Sequence, residues 1–364
     1  MNKRQRNSAV DIIRIVAFFC VVSVHFVLYS GFYNTPLLGK RMYIMQVMRT
    51  GFIICVPLFL ILTGYLMGGK KLSRKFYGGI KKTLGVYLIA FVFCILFKVL
   101  YYKEAWTLKN SLEAIFSYTS ANHYAWYIEM YIGLFLLIPF LNLTYSSLQT
   151  KRHKQVLVAT FILLTSAPAV INALFPLLPD WWSGVYPITY YFIGVYLREY
   201  PPVIKKRYVF CLFLASILLF GSGFFLINRG ELFSWSSYQD YGSLTTLVTA
   251  VTLFVFLLKI DVSSAPKGVK TLLMKISDLC LGAYLVSYIF DSYFYTKLNA
   301  EVTAVPERFK YYFLVVPVIF LCSLALSYVV NLIYKLICFI CSQLVKITSK
   351  EERGCSKMHR THKV

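Results

Sequence analysis

Arg14, His25 and Asp11 are the residues of this chain whose types and spacing point to chemistry, because they stand in the first apolar run, residues 10–30 (VDIIRIVAFFCVVSVHFVLYS). An ionisable side chain exposed to lipid there would cost several kcal/mol, so each needs a purpose. Arg14 and His25 are 11 positions apart. At roughly 100° and 1.5 Å per residue this returns to nearly the same helix face after about 16 Å, close to half the hydrocarbon thickness of a bilayer. One face thus carries a permanent cation near one membrane surface and a titratable base near the midplane. Asp11, one turn before Arg14, is spaced to pair with the guanidinium and hold its fork in place.

The elements that must position these residues are membrane helices. The chain has 364 residues, of which 58% are hydrophobic, 18% aromatic and only 15% charged, with a mean hydropathy of +0.64. That is too apolar for a soluble globule of this length. The pattern predicts an all-α, polytopic membrane bundle with about ten transmembrane helices, over residues 10–30, 46–69, 83–102, 124–147, 155–175, 185–197, 208–228, 241–258, 277–295 and 311–334. The sixth of these is short. Aromatic pairs such as Tyr101-Tyr102, Trp126-Tyr127 and Trp181-Trp182 crowd the ends, as suits rings that favour the headgroup interface.

A net charge of +23 would suggest nucleic acid in a soluble protein, but here its distribution among loops decides its meaning. Every second loop is basic: the N-terminus, residues 70–82, residues 151–154, residues 198–207, residues 259–275 and the tail after Lys335. By the positive-inside rule these face the cytoplasm, which places both termini there and predicts a multi-pass protein of the cell membrane. The lipid bilayer is then the expected partner, and nucleic acid is not. The basic N-terminus (Lys3, Arg4, Arg6) followed by an apolar run looks like a signal sequence but has no small-residue cleavage pattern, and reads as retained. The nine cysteines form no disulfide framework. Cys338 and Cys341 make a lone C-x-x-C without the second pair a structural zinc site needs, so no metal is expected. The organisation reads as one transmembrane domain, residues 1–340, and a short basic cytoplasmic tail, residues 341–364.

Several stretches, in order, resemble one family. Asp11, Arg14 and His25, as D-x-x-R-x10-H, resemble the first helix of the membrane acyltransferase-3 family, whose members O-acylate cell-surface glycans and related molecules. Residues 56–66 (VPLFLILTGYL) are similar to its P-x-F-F-x-x-S-G-Y/F-L pattern, and His123-Tyr124-Ala125-Trp126-Tyr127-Ile128 to its H-x-W-Y/F-L. Residues 191–197 (YFIGVYL) resemble F-x-x-G-Y-x-L, and residues 276–285 (ISDLCLGAYL) resemble I-S-x-x-S-F-G-I-Y-L. Two departures stand out. Relatives often carry a histidine just after G-I-Y-L, where this chain has Val286-Ser287, and the arginine pair expected before P-Y-L is replaced by lysines in Lys81-Lys82-Thr83-Leu84-Gly85-Val86-Tyr87-Leu88.

The resemblance implies an integral membrane O-acyltransferase, acyl-CoA dependent and most simply an O-acetyltransferase, that moves acetyl from cytoplasmic acetyl-CoA to a hydroxyl of a cell-envelope polysaccharide or lipid-linked glycan precursor. No cofactor is bound permanently; acyl-CoA is a co-substrate. His25, placed with Asp11 in the catalytic set, would serve as general base. Arg14, with Lys81 and Lys82, would hold the CoA phosphates, although lipid anchoring explains the lysines almost as well. His123, Trp126, Glu129 and Arg49 would line the acceptor entrance; Glu129 pairing with Arg49, and interfacial anchoring by His123 and Trp126, are the plainer readings. Some relatives carry an extracytoplasmic hydrolase-like domain, so a separate extracytoplasmic transferase is a possible partner. Two other classes fit the intramembrane charges: a transporter or flippase of an envelope precursor, and a non-catalytic scaffold that kept the fold.

Overall fold

The computed structural model describes residues 7–116, 123–234 and 239–361, and among these the side chains of 116, 123, 174 and 344–361 are not described. Among the described residues the secondary structure is helical: α1 Ser8–Tyr29, α2 Gly39–Phe52, α3 Cys55–Met67, α4 Arg74–Tyr77, α5 Lys81–Phe97, α6 Leu108–Phe116, α7 Trp126–Ser147, α8 Lys151–Thr165, α9 Pro168–Leu174, α10 Tyr186–Glu199, α11 Lys206–Ile227, α12 Leu244–Leu258, α13 Lys267–Glu301, α14 Val305–Arg308 and α15 Tyr312–Thr361. Among the described residues eight helical spans are long and apolar enough to cross a membrane, and the protein is an all-α polytopic membrane bundle. The two remaining apolar segments of the sequence are the shorter helices α10 and α12. Nine of the 14 residues of α10 are buried, because it packs against α3 and α8; enclosed by protein, it does not need a full bilayer-spanning length. At the other end of the chain, α15 runs through residue 341 to Thr361, so the tail continues the last helix.

α1 lies at the centre, against α2, α3, α12, α13 and α15. Asn7 caps it, its Oδ1 accepting from the Ala9 N–H at 3.0 Å, and Asp11 in the first turn complements the positive end of the helix dipole. Its residues are apolar on nearly all sides, as a fully enclosed helix requires. It stops where Gly31 takes φ +83°. A side chain there would be strained and would also meet Arg308 Nη1 and Val305 at 3.1 Å.

The second span is broken at Ile53-Ile54, between α2 and α3. Pro57 explains the break: it has no N–H to give the Ile53 carbonyl four residues back, and its ring crowds that carbonyl. Beyond the break, α3 crosses α10 at van der Waals contact of the two backbones. A Cβ on Gly64 would lie 2.0 Å from the Tyr191 carbonyl oxygen, and one on Gly194 would lie 2.0 Å from that of Ile61. Glycine at both positions is what lets these helices touch.

Arg308 fastens one end of the bundle. Its guanidinium donates to the carbonyls of Ser30, Asn299, Val302 and Thr303 at 2.7–3.3 Å, joining the end of α1 to the end of α13.

Candidate active site

α13 has 35 residues and runs parallel to α1 in a register fixed by three side-chain bonds. Arg14 Nη1 donates to Ser277 Oγ at 3.3 Å, His25 Nδ1 meets Asp291 Oδ2 at 2.9 Å, and Asn299 Nδ2 donates to the Tyr29 carbonyl at 2.8 Å. The 11-residue and 14-residue steps along the two helices both return to the shared face, so two polar stations form about 16 Å apart along it.

At the first station Arg14 is partly exposed, at 31% of its side chain, and Asp11 Oδ1 lies 3.7 Å from its Nη1. Arg14 opens onto a cavity of about 350 Å³ between α1, α3, α5, α7 and α13, to which Lys82 and Ser277 also contribute polar groups. Such a volume lies at the lower end of the range of small-molecule sites. The walls are mostly apolar (Val21, Val56, Phe59), and the charged side chains among them are Arg14, Lys82 and Asp278. Asp11 also borders a second, more open cavity of about 530 Å³, near Lys267 and Lys270.

The second station is built around His25, whose side chain is 11% exposed. Asp291 is fully buried and takes two bonds on one oxygen, from His25 and from the Tyr124 hydroxyl at 2.6 Å. With Asp291 ionised, Nδ1 must carry the proton, because a carboxylate only accepts. No hydrogen bond from the described residues reaches Nε2, which is left as the basic atom. The Tyr124 ring packs on the imidazole with centroids 4.1 Å apart.

Two tyrosine rings, Tyr284 and then Tyr124, lie between the cavity and His25. Tyr127 and Tyr284 line the cavity. Tyr284 stacks on Tyr124 at 6.1 Å and meets Tyr127 edge-on at 5.7 Å, and its hydroxyl donates to the Tyr124 carbonyl. His25 lies directly behind that ring.

The structure therefore brings together Asp11, Arg14, Lys82 and His25 along one axis. Lys81 is exposed and does not line the cavity. Trp126 is half-buried and packs on Tyr241 with centroids 5.6 Å apart. The expected Glu129–Arg49 pair does not form: Glu129 is on the exposed face of α7, whereas Arg49 is 1% exposed. Its Nε donates to the Tyr33 hydroxyl at 2.9 Å, its Nη2 to the Gln239 carbonyl at 3.1 Å, and its guanidinium covers the Phe233 ring at 4.2 Å. A guanidinium is weakly hydrated and stacks on aromatic faces, so it is satisfied there without Glu129. The side chain of His123 lies outside the described residues.

Sequence reasoning missed Asp291, Tyr124 and Ser277 as site residues. Asp291 carried a readable signal: it is a carboxylate inside the apolar run 277–295, as costly there as Arg14 is in the first run. Ser287, where relatives place a histidine, is buried and turns its hydroxyl back to the Tyr284 carbonyl at 2.8 Å. It lies one turn before Asp291.

In comparison with known proteins, the family model described as an acyltransferase domain (Acyl_transf_3) matches residues 7–332. No curated protein and no solved structure gives a significant match.

Proposed function

The chain belongs to the acyltransferase-3 family, and from that premise we propose that this membrane acyltransferase moves an acyl group, acetyl in the simplest case, from cytoplasmic acyl-CoA to a hydroxyl of a cell-envelope glycan or its lipid-linked precursor. The carrying observation is that a histidine whose Nε2 has no hydrogen-bond partner among the described residues lies behind Tyr284 and Tyr124 from a cavity lined by Arg14 and Lys82. Two fixed cations suit the phosphates of CoA, with Arg14 offering the planar fork and Lys82 a point charge. The apolar slot suits the pantetheine arm and a short acyl group.

In the reaction, His25 Nε2 takes the proton of the acceptor hydroxyl as its oxygen attacks the thioester carbonyl. The C–S bond breaks, the thiolate of CoA leaves and is protonated, and an O-acyl ester remains. The basic loops support an arrangement with Arg14 toward the cytoplasm and His25 toward the outside. Trp126 and Glu129 belong to the acceptor side in this reading, and Arg49 supports that side by bracing Tyr33 and the chain at Gln239.

The test is NMR of envelope glycans from cells lacking the gene, complemented with wild type or with His25→Ala, together with transfer of label from acetyl-CoA in membrane vesicles. Loss of O-acetyl signals in the deletion, restored by wild type and not by His25→Ala, is expected. Unchanged signals in the deletion would remove the glycan assignment, and full rescue by the alanine variant would remove His25 as the base.

A further inference from the structure

We infer that Asp291 is the positioning residue for His25: its carboxylate holds the imidazole in the orientation and tautomer that present a bare Nε2 to the acceptor. The inference rests on the reading of His25 as base, and adds the group on which that base depends.

Three observations carry it. Asp291 is fully buried, and its Oδ2 is 2.9 Å from His25 Nδ1. That same oxygen is fixed from the other side by the Tyr124 hydroxyl at 2.6 Å, so the carboxylate is held as well as the ring it orients. Its second oxygen, Oδ1, is buried without a hydrogen-bond partner among the described residues. Leaving a buried carboxylate oxygen unsatisfied is expensive, and a buried polar pair contributes little net stability over apolar residues of similar size. Fastening α1 to α13 does not require it either. Arg14 with Ser277 and Asn299 with the Tyr29 carbonyl already set the register, and the two helices pack along their length. A carboxylate at this position is accounted for by what it does to the imidazole. With Nδ1–H committed to Asp291, the ring cannot flip or shift its proton to Nε2 without breaking a charge-assisted bond.

Asp291 acts through His25, which gives a test that a purely structural role would fail. In membrane vesicles from the native host supplied with labelled acetyl-CoA, Asp291→Asn is expected to lower kcat roughly 100-fold or more, the scale of general-base catalysis, with KM for acetyl-CoA within twofold of wild type because the Arg14 station is untouched. The double variant His25→Ala/Asp291→Asn is expected to be no slower than His25→Ala alone. Tyr124→Phe, which keeps the ring and removes the hydroxyl that anchors Oδ2, gives a milder second variant: several-fold slower with His25 present, without effect when residue 25 is alanine. Detergent-solubilised variants are compared by size-exclusion chromatography, and if Asp291→Asn does not fold, the Tyr124→Phe pair decides. Near wild-type kcat in Asp291→Asn, or a double variant that loses a further factor equal to the single substitution's own, would overturn the inference while leaving His25 as base. Wild-type activity in His25→Ala would overturn both, and is told apart by that single variant.

Discussion

Arg14 owes its place to neighbours that hold it without neutralising it. Asp11 at 3.7 Å and Ser277 at 3.3 Å each engage Nη1, and Arg14 also lines the cavity. A hydrogen bond to a charged group contributes about 1.5–3 kcal/mol, and about 1.4 kcal/mol is tenfold in affinity. Arg14→Lys, which keeps the charge and loses the fork, is therefore expected to raise KM for acetyl-CoA about tenfold with little change in kcat, measured as initial rates against acetyl-CoA concentration. An unchanged KM would mean that phosphate is not bound there. At the same scale, Tyr284 closes the cavity on the side of Tyr124, the ring that packs on His25, by ring contacts and one bond to the Tyr124 carbonyl. Tyr284→Ala removes one of the two rings between the cavity and His25, and acceptor-independent hydrolysis of acetyl-CoA is expected to rise several-fold as water gains access to the cavity. No rise would show that the ring is not the barrier.

Among the elements, the crossing of α3 and α10 is the one with least tolerance. Each helix places a glycine against the other's backbone carbonyl, and a backbone cannot rotate aside as a side chain can. Gly194→Ala must push the helices apart, and overpacking of this kind costs typically 1–3 kcal/mol, occasionally more. The expected outcome is a lower thermal midpoint in detergent and a loss of monodisperse protein; a midpoint equal to wild type would contradict the close approach. α3 carries Phe59, Leu62, Thr63 and Met67 into the wall of the cavity, so the crossing also sets the width of the slot. Thr63 itself turns its hydroxyl to the Phe59 carbonyl at 2.8 Å, which satisfies it within its own helix.

For the whole molecule, the bundle holds the base and the cations at fixed separation on one axis, and orientation in the membrane decides which substrate reaches which end. Lys259 just after α12 and Lys267 and Lys270 at the start of α13 lie at one end of that helix, and Glu301, its last residue, and Glu307 in α14 lie at the other. With the basic side cytoplasmic, Thr303→Cys in a cysteine-free background should react with an impermeant maleimide on intact cells, while Ser263→Cys should react only after permeabilisation. The reverse pattern would turn the donor station outward and exclude cytoplasmic acyl-CoA as its ligand.

The sequence by itself determined that this is an all-helical membrane protein of the acyltransferase-3 family, and that Arg14 and His25 share a helix face. Apolar run length and the 3.6-residue period are local properties sufficient for the helices and the shared face, while the family rests on the order of short motifs along the chain. It did not determine what His25 touches. Asp291 lies 266 residues further on, and only the parallel packing of α13 on α1 brings its carboxylate to Nδ1, with Tyr124 arriving from a third segment. The same limit applies to Arg49: chemistry offered Glu129 as its partner, and the tertiary structure gave it Tyr33, Phe233 and a main-chain carbonyl instead. Residue type fixes what a side chain can bond, but among several adequate partners the choice belongs to helix packing, which decides which of them come within 3 Å.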